Sequence, residues 1–257
     1  MTKTKSLNLS LAIVMLTGAS AFAATKPEID DAAARSFLQI AKTAKADIDY
    51  KIIYKPGVRS YLIVAPHGGN IEPGSTELAQ AIANNNYGFY VFNGLKRDSS
   101  SVFVPSTRFD EPELMRVTKN YSTVIAVHIV PSSDRIIYVG GDYRQIVDKI
   151  IKSLADQGFQ SAITPRDGSA WNRTNLVNRN TVGGVQIEVS SAVLDDMFRG
   201  PSSNERIRQD PNRRTIEFTR FVNAIKSVLG RSDNHPTGVK IHSSDDKADD
   251  KDSRKKK

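Results

Sequence analysis

The chain of 257 residues predicts a three-layer α/β domain, with a mostly parallel or mixed sheet and helices on both faces. Three observations carry that expectation. "SYLIVA" and "STVIAVHIV" are continuous apolar runs of strand length, as expected for strands buried on both faces. "STELAQAIANN" and "YRQIVDKIIKSLADQG" are helical in spacing and lie between the strand-like runs. Strands alternating with helices favour crossover connections, and hence neighbouring strands that run the same way.

Taken in order, "KPEIDDAAARSFLQIAKTA" predicts a first helix around 28–43, from its apolar spacing and good helix formers. "DYKIIYK" reads as a strand, "PGV" as a turn and "SYLIVA" as the next strand. "STELAQAIANN" follows as a helix with Ser75 or Thr76 available as its cap. "YGFYVFNG" is a strand, and the polar stretch "LKRDSSSVFVPSTRFDEPE" is long for a connector, which suits a functional loop. A short helix, "EPELMRVTKN", precedes the strands "STVIAVHIV" and "DRIIYVGG". The amphipathic "YRQIVDKIIKSLADQG" ends at Gly158, and "FQSAIT" is a short strand. "GGVQIEVS" is the last strand, and "PNRRTIEFTRFVNAIKSVLG" a closing helix from a Pro start to a Gly end.

Neither end of the chain reads as core. Residues 1–24 form an expected signal peptide: Lys3 and Lys5, an apolar stretch, then "AFAA" as a small-residue cleavage site near Ala23 or Ala24. Asn8, Ser10, Thr17 and Ser20 interrupt that stretch, so it is a poor membrane span, and a secreted or periplasmic location is expected. Residues 231–257 alternate acidic and basic clusters with almost no apolar residues, the composition of a disordered tail that carries His235 and His242. About 205 residues remain, enough for one domain at 25–230.

The formal net charge is +8, of which the leader supplies +2 and the tail, with eight basic and six acidic residues, another +2. The folded part therefore carries about +4, compatible with an anionic polymer or peptide-like partner. No nucleic-acid motif and no basic stripe interleaved with aromatics is present. Without cysteine, an exported domain depends on its core, and on any metal, rather than on disulfides. A monomer with no stable membrane span after leader cleavage is expected.

Ligands of open α/β sheets bind beyond the carboxyl ends of the strands. His67 follows "YLIVA" and His128 follows "TVIAV", and these are the two histidines of the folded part. Glu72 lies five residues after His67, across a turn containing Gly68 and Gly69. Two histidines and a glutamate suit a single zinc ion, because catalytic zinc takes three protein ligands and keeps one position open. A further carboxylate that is not a ligand is then needed to move protons, and Glu188 in "GVQIE" is the candidate general base and acid. The competing reading of Glu188 is a buried partner for an arginine such as Arg179.

Several blocks agree, in order, with one family. "APHGGNIEPGSTELAQAI", "YGFYVFNG", "STRFDEPE", "AVHI", "VGG" and "NLVNRNTVGGVQIEVS" resemble the signature blocks of the poly-γ-glutamate hydrolase family, over about residues 48–228. The resemblance implies a zinc-carboxypeptidase-like fold and one zinc held by His67, Glu72 and His128. It also implies that Glu188 matches the general base of zinc carboxypeptidases. One departure stands out: the family often has glycine after the second histidine, and here Ile129 follows His128.

Substrate contacts are expected from Arg179 and Asn178 in "LVNRN" and from Arg108 in "STRFDEP", because a guanidinium holds a carboxylate bidentately. Each arginine has a structural alternative, as an exposed or aspartate-paired residue. Asp110 is a candidate partner to a ligand histidine. The expected activity is hydrolysis of poly-γ-glutamate or a related γ-glutamyl or peptide amide. Two alternatives are a zinc acylase or carboxypeptidase acting on small N-acyl amino acids, and a non-catalytic exported binding protein of the same fold.

Overall fold

The computed structural model describes residues 36–180 and 182–232. The expected signal peptide, residues 28–35 of the expected first helix and the tail beyond Ser232 lie outside the described residues, and the rest of that expected helix is helical only over Phe37–Ile40. Seven strands form one mixed sheet in the spatial order β1-β3-β2-β4-β7-β5-β6. They are β1 (Tyr50–Lys55), β2 (Tyr61–Gly69), β3 (Gly88–Gly94), β4 (Thr123–Val130), β5 (Ile137–Gly140), β6 (Ser161–Ile163) and β7 (Val185–Ser190). The central strands β3, β2, β4 and β7 run parallel, β1 is antiparallel to β3, and β5 is antiparallel to β7.

The apolar runs of the sequence explain this centre. In β2, Leu62, Ile63, Val64 and Ala65 have no exposed surface, so both faces are covered and no polar alternation is possible. Each fully buried aliphatic side chain contributes roughly 1.5–3 kcal/mol through the surface it removes from water. Ile63, Ala65, Ile125, Val127, Ile129, Val185, Ile187 and Val189 fill one face. They pack under α2 (Ser75–Ala83), α4 (Arg144–Asp156) and α7 (Ile216–Ser232). Leu62, Val64, Tyr90, Phe92, Val124 and Ala126 fill the other. That face lies under α1 (Phe37–Ile40), α3 (Pro112–Val117) and the segment that brings Val102, Val104 and Phe109 inward. The expected three layers are therefore present.

Some boundaries differ from the sequence reading, for identifiable reasons. Gly74, at φ 104°, occupies the cap position of α2, because the hydroxyls of Ser75 and Thr76 are engaged elsewhere. Ser75 donates back to the carbonyls of His67 and Glu72, and Thr76 to the Asn93 amide oxygen. Pro211 opens a separate turn, Pro211–Arg213, capped by Asp210, so α7 begins only at Ile216 and runs through Gly230. Two short helices, α5 (Ser191–Asp196) and α6 (Glu205–Gln209), carry too few residues to show a helical period in the sequence. No helix among the described residues is long and apolar enough to cross a membrane.

From β2 the chain steps to β3 on one side, and β4 then adds to the other side of β2. The crevice between the ends of β2 and β4 is thus the point where strand order reverses, the usual ligand site of such sheets.

Candidate metal centre

His67 reaches that crevice through an irregularity that period-two alternation hides. Between Ala65 and Gly68 the pairing of β2 with β3 shifts register. Without the shift, His67 would lie on the face of Ile63 and Ala65 under α2; the bulge turns it toward the opposite face. There its ring packs 4.5 Å from Phe103 and 4.9 Å from His128, centroid to centroid.

The turn that follows is built by its two glycines. A Cβ on Gly68 would stand 2.3 Å from Val91 Cγ2 and 2.6 Å from Thr76 Oγ1. Gly69 has φ 65°, a conformation L side chains seldom adopt, and its N–H donates to Thr76 Oγ1 at 2.9 Å. Ser75 Oγ ties the carbonyls of His67 and Glu72 together, and the Glu72 N–H donates to the His67 carbonyl at 2.8 Å. Glu72 is thereby carried back toward the histidine from which the chain departed.

Its carboxylate bridges two strands. Glu72 Oε1 lies 2.7 Å from His67 Nδ1, and Oε2 lies 3.0 Å from His128 Nδ1. Oε2 also accepts the Ile129 N–H at 3.0 Å. β2 pairs with β4 only as far as Val64 and Ala126, so the carboxylate takes a main-chain donor that the departing strand no longer serves. The side chain of Ile129 points into the opposite core. Ile129, where the resemblance led to an expectation of glycine, therefore leaves this contact intact, because the backbone makes it.

The outer nitrogens of both imidazoles are held as well. His67 Nε2 lies 2.7 Å from the Val104 carbonyl, and His128 Nε2 lies 3.2 Å from Ser106 Oγ. A carbonyl only accepts, so His67 Nε2 carries the proton, and in the neutral ring Nδ1 presents a lone pair. In that neutral form the lone pair would face a carboxylate oxygen at 2.7 Å, so the contact needs a positive charge between the two atoms, either a proton on Nδ1 or a metal ion. Burial pushes the Glu72 carboxyl up, but the imidazoles of His67 and His128 outweigh it and hold the group well below the usual carboxylate range. Ligand atoms of His67, Glu72 and His128 all lie within 4.8 Å of one another. Two imidazole nitrogens and one carboxylate are the borderline N/O set that zinc takes, with the second nitrogen of each ring anchored as zinc-binding histidines require.

Glu188 stands beside this triad without joining it. It pairs in register with His128 across β4 and β7, and partners in a parallel ladder project side chains to the same face. It is 9% exposed, and Oε1 accepts from Gln186 Nε2 at 3.0 Å. Among the described residues, its other oxygen takes no hydrogen bond.

Of the residues expected to hold substrate, Arg179 and Asn178 are engaged by the chain's own loops. Arg179 directs its donors to main-chain oxygens: Nε to Thr174 at 2.8 Å, Nη1 to Phe109 at 2.6 Å, and Nη2 to Thr107 at 3.2 Å and Ser106 at 3.4 Å. Burial lowers its pKa, which the charge of Asp110 partly offsets. Asn178 donates to the carbonyls of Ala170 and Asn172 and accepts the Asp142 N–H. Both side chains thus shape the loops around the site. Arg108 is exposed on the same segment. Asp110 accepts the Phe37 N–H at 2.6 Å, fixing the start of α1, whereas the partners of the ligand rings are Val104 and Ser106. Ser106, Gln186 and Val104 are residues that sequence reasoning missed. Gln186 was within reach, since a second polar residue two positions from Glu188 on a buried strand face is itself a signal.

Comparison with known proteins agrees with this geometry. The family described as Poly-gamma-glutamate hydrolase matches residues 35–224. The SPbeta prophage-derived protein YoqZ of Bacillus subtilis (strain 168) is 34% identical over 161 residues, covering 61% of this chain. This chain spans only 58% of the length of YoqZ. A bacteriophage poly-γ-glutamate hydrolase structure is similar at TM-score 0.72 and 26% identity, covering 77% of this chain and 96% of that one. A zinc-free structure of YndL is similar at TM-score 0.69 and 28% identity, with the same coverage of 77% and 96%. With a matching family profile over most of the chain and a donor set that fits one zinc ion, the chain belongs to the poly-γ-glutamate hydrolase family, a family of amide-bond hydrolases.

Proposed function

We propose that the chain is an exported, zinc-dependent amidohydrolase that cleaves poly-γ-glutamate or a closely related γ-glutamyl amide, with Glu188 as general base. The observation that carries this reading is the pairing of His128 with Glu188 on one sheet face, a metal ligand beside a carboxylate that is not a ligand. Zinc held by His67, Glu72 and His128 would supply Lewis acidity toward water and toward an amide carbonyl. The chain's own residues divide the remaining work. Glu188, with one oxygen held by Gln186 and the other open, accepts a proton from the attacking water and returns it to the leaving amine. Val104 and Ser106 hold the outer nitrogens of the two histidines and so keep Nδ1 of each ring facing inward.

Substrate class follows from charge and kinship. The folded part is basic, which favours a polyanion, and the phage relative is named for the γ-glutamyl polymer. The leader reading supports an export route that brings the enzyme to such a polymer outside the cytoplasm.

A digestion series tests the proposal. Purified enzyme, with and without zinc, is incubated separately with poly-γ-glutamate, peptidoglycan fragments and N-acyl amino acids. Zinc-dependent shortening of poly-γ-glutamate is the expected result. Hydrolysis confined to small N-acyl amino acids would replace the polymer reading with an acylase.

A further inference from the structure

Glu188 is the end of a buried chain of amides whose polarity is set by the backbone. Asn175, Gln186 and Glu188 are 0%, 2% and 9% exposed. Asn175 Oδ1 accepts the Val177 N–H at 3.2 Å, and its Nδ2 donates to the Ser169 carbonyl at 3.0 Å. Those main-chain groups cannot exchange roles, so the Asn175 amide has a single orientation. Its Nδ2 donates a second hydrogen to Gln186 Oε1 at 2.8 Å. Gln186 therefore turns Nε2 toward Glu188 Oε1 at 3.0 Å, with its other hydrogen near Ser169 Oγ at 3.3 Å.

We propose that Gln186 and Asn175 are positioning residues for the general base. The fixed N–H of Gln186 holds the plane of the Glu188 carboxylate and leaves its second oxygen for water. This rests on the reading of Glu188 as the base. A strand supplies the rigidity: Gln186 and Glu188 are two apart on β7 and share a face, so the donor and the carboxylate move as one unit. The loop contributes the other half, because the 3-10 turn at Leu176–Arg179 begins at Asn175 and depends on the same amide as its cap. General bases act only within hydrogen-bond reach of the proton they take, so a carboxylate free to rotate away loses rate without losing substrate.

The test compares zinc-loaded wild type with Gln186→Met, Gln186→Glu and Asn175→Asp on poly-γ-glutamate, with zinc content and thermal stability checked for each. Gln186→Met removes the donor, and Gln186→Glu sets a carboxylate against a carboxylate. Asn175→Asp removes the donor to Gln186, which lets that amide turn its oxygen toward Glu188. Each is expected to lower kcat by about 10–100-fold with zinc retained and KM almost unchanged, and Gln186→Glu is expected to be the slowest. If Gln186 only anchored Asn175, Gln186→Glu would stay close to wild type, because its carboxylate still accepts from Asn175 and only Gln186→Met would suffer. That order, or wild-type kcat in all three variants, overturns the proposal. Activity in Glu188→Gln would instead remove the base reading. A crystal structure of zinc-loaded Gln186→Met then decides the positioning role by itself: a rotated or doubled Glu188 carboxylate supports it, and an unmoved one sinks it.

Discussion

Arg179 Nη1 lies 2.6 Å from the Phe109 carbonyl, and its neighbour Nη2 reaches the carbonyls of Ser106 and Thr107. One guanidinium thus gathers the segment that supplies Val104 and Ser106 to the histidine rings. A planar fork with five donors suits several carbonyls at once, and a lysine ammonium does not.

Arg179→Lys is therefore expected to loosen that segment and lower zinc affinity by about tenfold, the lower range for partners of metal ligands. Competition with a chromophoric chelator measures it. Had Arg179 held substrate instead, KM would rise while zinc affinity stayed at the wild-type value.

At Gly68 the expected lesion is steric. A methyl group there meets Val91, Asn93 and Thr76 at 2.3–2.6 Å, and the Thr76 hydroxyl also holds the Gly69 N–H. Gly68→Ala should cost about 1–3 kcal/mol in chemical denaturation, as overpacking usually does, and should separate Glu72 from His67 enough to reduce bound zinc. Full zinc content with unchanged stability would show that the turn tolerates a side chain.

A buried ion pair away from the site gives a stability control. Arg208, 1% exposed on α6, donates to Glu77 Oε1 on α2 at 3.3 Å and to the Ser202 carbonyl at 2.6 Å. Arg208→Met leaves the carboxylate buried and alone, at an expected cost of about 3–5 kcal/mol. The double variant Arg208→Met/Glu77→Leu is expected to recover much of that loss in urea unfolding, since two apolar groups leave no charge stranded.

Much of the architecture was legible in residue pattern. Strands buried on both faces announce themselves as unbroken apolar runs, and β2, β4 and β7 fall where "SYLIVA", "STVIAVHIV" and "GGVQIEVS" place them. His67, Glu72 and His128 were legible because strand ends in such sheets carry the ligand site, and the structure gathers those three side chains. The bulge that aims His67 was not legible: strict alternation assigns that ring to the wrong face. Nor was Val104, since a main-chain carbonyl leaves no mark on residue identity. Arg179 and Asn178 show the converse limit. Their side-chain chemistry suits a substrate carboxylate and loop carbonyls equally, and the sequence does not show that folding brings loop carbonyls against both.

The proposed mechanism divides the work between three ligands and one separate base, and Glu188→Gln separates the two roles. Zinc stoichiometry and turnover of poly-γ-glutamate are measured on the same preparation. The expected result is one zinc per chain, as in wild type, with kcat reduced by about 10²–10⁴-fold, the usual contribution of a positioned acid–base group. Full zinc occupancy with undiminished turnover would mean that the proton moves without Glu188, and Glu188 would not be the base.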